Sequence, residues 1–276
     1  MLKYLGAIFF TMSLICSCTR IEGDGVLVKA MRSTSSFNQV DARGEFELYL
    51  YYADSCKLEV ECESNILQYV VTKFVRNKLI IDKKNNVLIA NNMPIKIYAG
   101  TPLLKFAELS GSGRMVVDEL HSGNLTLSLS GSGEIIYNES AECENLTMDI
   151  SGSGNINAPY VKSGQTNIDI DGSGVCTVDS ISLEKLDIDI DGSGGINLRG
   201  VCDYVDLRVE GTGELRAGDL FTKRYDIRVN GSGCAYINVS NELNIVVNGS
   251  GNIYYLGYPK ITMTGSGNGG LINMNP

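Results

Sequence analysis

The triplet Gly-Ser-Gly begins at residues 111, 131, 152, 172, 192, 231, 249 and 265, and Gly211-Thr212-Gly213 fills the one gap. Successive starts are 20, 21, 20, 20, 19, 20, 18 and 16 residues apart. A flexible Gly/Ser linker keeps no such interval and carries no apolar residues between its glycines. The regularity marks a structural repeat, and a period near twenty residues decides the fold.

Each period has the same interior. Before the triplet, apolar and polar residues alternate, as in Leu125/Leu127/Leu129, Leu146/Met148/Ile150, Leu186/Ile188/Ile190, Val205/Leu207/Val209, Tyr225/Ile227/Val229 and Leu243/Ile245/Val247. Strict alternation is the pattern of a half-buried strand. After the triplet a second strand places Ile135, Ile156, Cys176, Ile196, Leu215, Ala235 and Ile253 at equivalent positions, and Leu120, Val161, Ile181, Val201 and Leu220 form a third apolar station. One coil of this length cannot bury its apolar edge alone. Coils stacked about 4.8 Å apart pair each strand with its equivalents above and below and gather like side chains into columns. The spacing predicts an all-β protein: a right-handed parallel β-helix over 109–276, with paired glycines allowing positive φ at its corners.

Residues 25–108 are β-rich without keeping the period. Phe46/Leu48/Leu50/Tyr52, Leu58/Val60/Cys62, Leu79-Ile80-Ile81 and Ile95/Ile97 read as strands, and Asn65 to Val71 as a single helical turn. The expectation is an N-terminal β module that shares the solenoid's core.

The first residues concern export. Lys3 precedes an apolar stretch, Leu5 to Ile15, that is too short to span a bilayer and has the form of a secretory signal. It closes on Leu14-Ile15-Cys16-Ser17-Cys18. This resembles a bacterial lipobox, with small Ser17 before Cys18, whereas Cys16 follows the bulky Ile15. The expected division is a signal peptide over 1–17, a lipid-anchored linker over 18–24 with Cys18 acylated, the module over 25–108 and the solenoid over 109–276.

With the motifs in place, the chain resembles the putative auto-transporter adhesin family with the head GIN domain. The resemblance rests on Phe37-Asn38-Gln39-Val40, Gly44-Glu45-Phe46-Glu47-Leu48, Asn65-Ile66-Leu67, Lys78-Leu79-Ile80-Ile81 and the repeated Gly-Ser-Gly-x-Ile. It implies a β-helix displayed by Gram-negative bacteria, often as an outer-membrane lipoprotein exposed at the cell surface. After Gly265 too few residues remain for a translocator barrel, so the expectation is a lipid anchor in place of self-transport.

Charge and chemistry narrow the function. A net charge of −9 argues against nucleic acid and against electrostatic docking on anionic lipid, leaving the lipid anchor as the expected membrane contact. Cysteines 56, 62, 143, 176, 202 and 234 are even in number, as in a disulfide framework, but their spacing opposes pairing. Cys56 and Cys62 lie ~20 Å apart on one extended segment, far beyond disulfide reach. They read as free thiols, small polarizable residues of the core. His121 is the sole histidine and reads as a solvated turn residue. No Gly-x-Ser-x-Gly elbow is present, and neither a catalytic residue, a metal site nor a cofactor is expected.

One concentration of charge stands out. On the outward positions before the triplets lie Asp149, Asp169/Asp171, Asp187/Asp189/Asp191, Asp206/Glu210 and Asp226. Stacking would set Asp169 beside Asp189 and Asp171 beside Asp191. Two carboxylates ~5 Å apart in water repel by only about 0.8 kcal/mol, so a solvated face relieved by Arg208 and Arg228 accounts for the ladder. Asp169, Asp171, Asp187, Asp189 and Asp191 are at the same time the candidate binding face. The expected function is a surface-exposed, lipid-anchored, adhesin-like protein contacting glycan, matrix or protein. The alternatives are a glycan-active enzyme on the same scaffold and a structural spacer without ligand.

Overall fold

A computed structural model describes residues 19–118 and 122–276. Cys16, Cys18, Leu120 and His121 lie outside the described residues. The fold is a parallel β-solenoid, with a single 3-10 turn among the described residues, Leu67–Tyr69, inside the stretch expected to turn. From the strand Phe106–Gly111 onward each coil pairs in parallel with the next. One complete coil, Val175–Gly192, stacks between Asn155–Gly172 and Gly195–Gly211. Along it burial alternates in three runs: Cys176 and Val178, Ile181 and Leu183, then Leu186, Ile188 and Ile190. Asp179-Ser180, Glu184-Lys185 and the Gly-Ser-Gly triplet interrupt the alternation and turn the chain between its three sides.

The two glycines of each triplet do different work. Gly172 and Gly192 have φ of 121° and 117°, and a Cβ on Gly192 would lie 2.5 Å from the Gly172 carbonyl oxygen. Gly194, third in its triplet, has no positive φ; a Cβ there would run into the buried Ile170 side chain of the preceding coil. The expectation that both glycines serve positive φ is therefore corrected: the first supplies the conformation, the last supplies space. Between them the Ser193 N–H donates to Gly172 O at 2.8 Å, and the Ser173 and Ser193 hydroxyls meet at 3.0 Å.

Nearly all the apolar columns are buried where the alternation puts them, in one continuous core. Val201 is an exception at 51 % exposed. The interval from Gly192 to Gly211 is one residue short, so the register shifts between Val178 and Ile181; Gly200, with φ of 116°, stands opposite Ile181 and Val201 turns outward. The six cysteines are free, but only Cys62, Cys176 and Cys202 are buried, the other three being half-buried. Cys234 pairs with Glu214, one position outside the inward column of Cys176. Inside the tube Thr166 replaces the leucine of its neighbours Leu146 and Leu186, and its hydroxyl is satisfied by Ser163 at 2.7 Å.

The N-terminal strands belong to the same stack. Gln39–Arg43 and Glu47–Tyr52 pair in parallel with Phe106–Gly111 and Arg114–Val117 on one side, and with Lys78–Lys83 and Lys96–Thr101 on the other. Gly44-Glu45-Phe46 occupies the corner where later coils carry Gly-Ser-Gly, with Gly44 at φ 121°. Antiparallel strands then close this end: Val70–Val75 on Lys78–Lys83, Lys57–Glu63 on Lys96–Thr101, and Leu27–Met31 on Lys57–Glu63. Glu63 pins the closure, its buried carboxylate accepting hydrogen bonds from the N–H groups of Gly25 at 2.7 Å and Asn92 at 2.8 Å. Burial alone would raise its pKa, but these donors hold the carboxyl below the usual range.

Candidate functional site

The outward residues of the strands that precede the triplets form side-by-side columns, because every such strand pairs in register with the next. One column reads Asn167, Asp187, Asp206, Asp226; the next Asp149, Asp169, Asp189, Arg208, Arg228; the third Asp171, Asp191, Glu210. The structure thus brings all five candidate residues, Asp169, Asp171, Asp187, Asp189 and Asp191, to one face. Asp149, Asp169, Asp171, Asp189, Asp191 and Glu210, with Arg208, line a shallow open depression of about 460 Å³ on it.

The two ends of this face differ electrostatically. Toward the C-terminus cations and donors answer the carboxylates. Arg208 lies 3.4 Å from Asp189, Arg228 3.4 Å from Asp206, Lys185 2.6 Å from Asp187 and Arg224 2.8 Å from Asp226. The Tyr204 hydroxyl and the Asn244 amide each add a bond to Asp226 at 2.8 Å. Burial opposes ionisation of Asp226, yet these donors and Arg224 keep its pKa low. Toward the N-terminus no Lys or Arg among the described residues pairs with Asp149, Asp169 or Asp171. Burial and then the Asp169 carboxylate push Asp149 up to about 6, with a hydrogen bond between the two carboxyls adding to the shift. Partial burial and the neighbouring Asp189 raise Asp169 as well.

The raised pKa of Asp149 fixes the sign of a pH effect. A carboxyl that holds its proton more tightly when folded stabilises the fold below about pH 3.8, and the contribution is lost as pH rises through about 6. Acidification from pH 7 toward 4.5 is expected to raise stability by on the order of 1–2 kcal/mol through this group, allowing for solvent screening of a half-buried side chain. Asp149→Asn should be the more stable protein at pH 7 by a similar amount and lose that part of the pH dependence. Urea unfolding of both proteins at pH 4.5 and 7 measures it; equal differences at the two pH values would refute the assignment.

A three-carboxylate cation cage is not what the columns build: among the described residues no group of three His, Cys, Asp or Glu converges to hold a metal ion. Two tyrosine pairs stack face against face, Tyr49 on Tyr98 at 5.0 Å and Tyr236 on Tyr254 at 4.5 Å, while Phe221 and Tyr258 are exposed.

The alternation of Asp residues revealed the ladder, and its upper neutralisation by Arg208 and Arg228 was legible from their shared column. Lys185, Tyr204 and Arg224, a fourth column beside Asp187, Asp206 and Asp226, were missed by the sequence reading. Their signal is the spacing Lys185-x-Asp187, Tyr204-x-Asp206 and Arg224-x-Asp226, which puts each pair on one face of a strand.

Comparison with known proteins agrees with this architecture. The chain is similar in structure to a putative adhesin from Parabacteroides distasonis, with a TM-score of 0.72 and 21% identity, covering 92% of this chain and 100% of that one. A putative adhesin from Parabacteroides merdae gives a TM-score of 0.71 at 19% identity, covering 93% and 100%. A putative lipid binding protein from Parabacteroides distasonis gives 0.70 at 23% identity, again covering 93% and 100%. At such identities the likeness shows the fold. No curated protein matches the chain. A family profile described as putative auto-transporter adhesin, head GIN domain, matches twice in succession, over residues 36–159 and 159–259, and the chain belongs to that family.

Proposed function

We propose that this chain is a surface-exposed, lipid-anchored binding protein that holds a glycan, matrix component or protein against a long face of its solenoid and does no chemistry on it. The observation that carries the reading is the uncompensated half of the acidic face. Asp149 and Asp169 stand in register on adjacent coils and line the open depression, and among the described residues no Lys or Arg pairs with either. A partner that brings hydroxyl or ammonium donors to this face answers these carboxylates, whereas a solvated spacer gains nothing from them. Membership of an adhesin family supports binding in general. Glycan and matrix arrays probed with the protein test the reading: a retained and chemically unchanged ligand is expected, and release of shortened glycan would instead favour the enzyme.

The lipobox-like Leu14-Ile15-Cys16-Ser17-Cys18 supports anchoring through Cys18. Cys18→Ala is expected to release the protein from membranes and abolish acyl-lipid labelling. Labelling that persists in this variant and disappears in Cys16→Ala would move the anchor to Cys16.

A further inference from the structure

The two ends of the stack are built differently. Antiparallel strands and the Glu63 hydrogen bonds close the N-terminal end. At the other end Lys260–Thr264 pairs with Cys234–Gly249, and among the described residues no strand pairs with its free edge. Side chains that continue the core columns lie open there. Ile261 follows Leu243 and is 37 % exposed; Met263 follows Ile245 and is 40 % exposed, although the two residues beneath them are buried. Leu271, which follows the buried Ile253, is half-buried beside them. Charge also disappears: from Gly257 to Pro276 the only charged side chain is Lys260, in a chain of net charge −9. An unpaired edge over open apolar columns is a template for further pairing.

We propose that this end is a docking surface for a second copy of the chain, the two solenoids meeting end to end about a two-fold axis through Thr262. The register of the edge strand is the reason. Antiparallel pairing centred on Thr262 sets Ile261 opposite Met263 of the second copy, and Lys260 opposite its Thr264. Directly opposed residues in such a pair point to the same side, so both apolar columns run on into the second core and no two lysines face each other. The contact is isologous and closes at two copies, unlike a head-to-tail join, which would grow into a filament. The last coil lies 18 residues on from the one beneath it, with Lys260 over Glu242 and Leu271 over Ile253, and has a perimeter of ~60 Å. With its shell of side chains it presents on the order of 500 Å² per copy, near the lower limit for a specific interface, so pairing depends on concentration.

Residues opposed across the two-fold axis have Cα atoms ~5 Å apart, within disulfide reach. The test is oxidative cross-linking of full-length Thr262→Cys in intact envelopes with diamide, read on non-reducing gels. Asn244→Cys, directly beneath Thr262 in the preceding coil, is the control, since two such residues would stand ~14 Å apart at the rung spacing. A covalent homodimer at least tenfold above the Asn244→Cys level is expected, and it should be lost when Ile261→Lys and Met263→Lys are added. No excess over the control, a dimer indifferent to the two lysines, or a cross-link to a different protein would each overturn the proposal. The cross-link in Thr262→Cys decides the matter even if the lysine-bearing chain does not fold.

Discussion

Gly192→Ala is expected to lower the stability of the protein by about 3–5 kcal/mol, while Ser193→Ala beside it changes stability by no more than about 0.5 kcal/mol. Two effects add at Gly192. Its φ of 117° is a conformation that costs an alanine about 1–2 kcal/mol. The added Cβ also meets the backbone of the coil below, 2.5 Å from the Gly172 oxygen and 3.2 Å from its carbonyl carbon. That neighbour is itself held by the Ser193 N–H and cannot retreat without breaking the ladder. Ser193 is exposed, and its hydroxyl makes a single contact with Ser173. Urea denaturation followed by circular dichroism measures both. Equal losses in the two variants would mean that the corner is not where the coil is constrained.

Leu207→Ala should cost about 2–5 kcal/mol, and Met263→Ala less than about 1 kcal/mol. Leu207 is fully buried between Ile188 and Ile227, whose positions are fixed by hydrogen-bonded strands above and below, so the cavity left by its side chain cannot collapse. Met263 stands in the same kind of inward column but at the open end, 40 % exposed, and in dilute, unpaired protein solvent and neighbouring side chains fill the space. In a stack stabilised chiefly by nearest-neighbour interfaces the interior loss should also weaken both adjoining coils, visible as faster amide exchange over Leu186–Ile190 and Tyr225–Val229. Similar losses at the two sites would contradict a continuous core that ends in an open coil.

The repeat was legible because its physical cause is local. Alternation such as Leu186/Ile188/Ile190 fixes the buried side of a strand, and a constant interval between corners fixes which strands lie above one another. Where the interval slipped, the reading slipped with it: the shortened coil before Gly211 sends Val201 outward and puts Gly200 in its place. The order of the first coils was hidden for a different reason. The Gln39–Tyr52 coil sits between two coils that come later in the chain, and its corner, Gly44-Glu45-Phe46, keeps only one of the two glycines. Glu63 shows the limit most clearly, since its donors, Gly25 and Asn92, are far from it in sequence and nothing in the residues around it points to them. For the acidic face, register within the repeat placed the aspartates together with Arg208 and Arg228; the added pairing of Lys185 with Asp187 and of Tyr204 and Arg224 with Asp226 required the side-chain geometry.

The claim that the acidic face makes the contact is tested most directly by repeating the glycan and matrix arrays with Asp169→Asn, Asp171→Asn, Asp189→Asn and Asp191→Asn combined in one protein. The account predicts a variant that remains folded by circular dichroism and loses at least tenfold of the binding seen with the unmodified protein. Binding retained at full strength by the folded variant would contradict it and move the contact to another face of the solenoid.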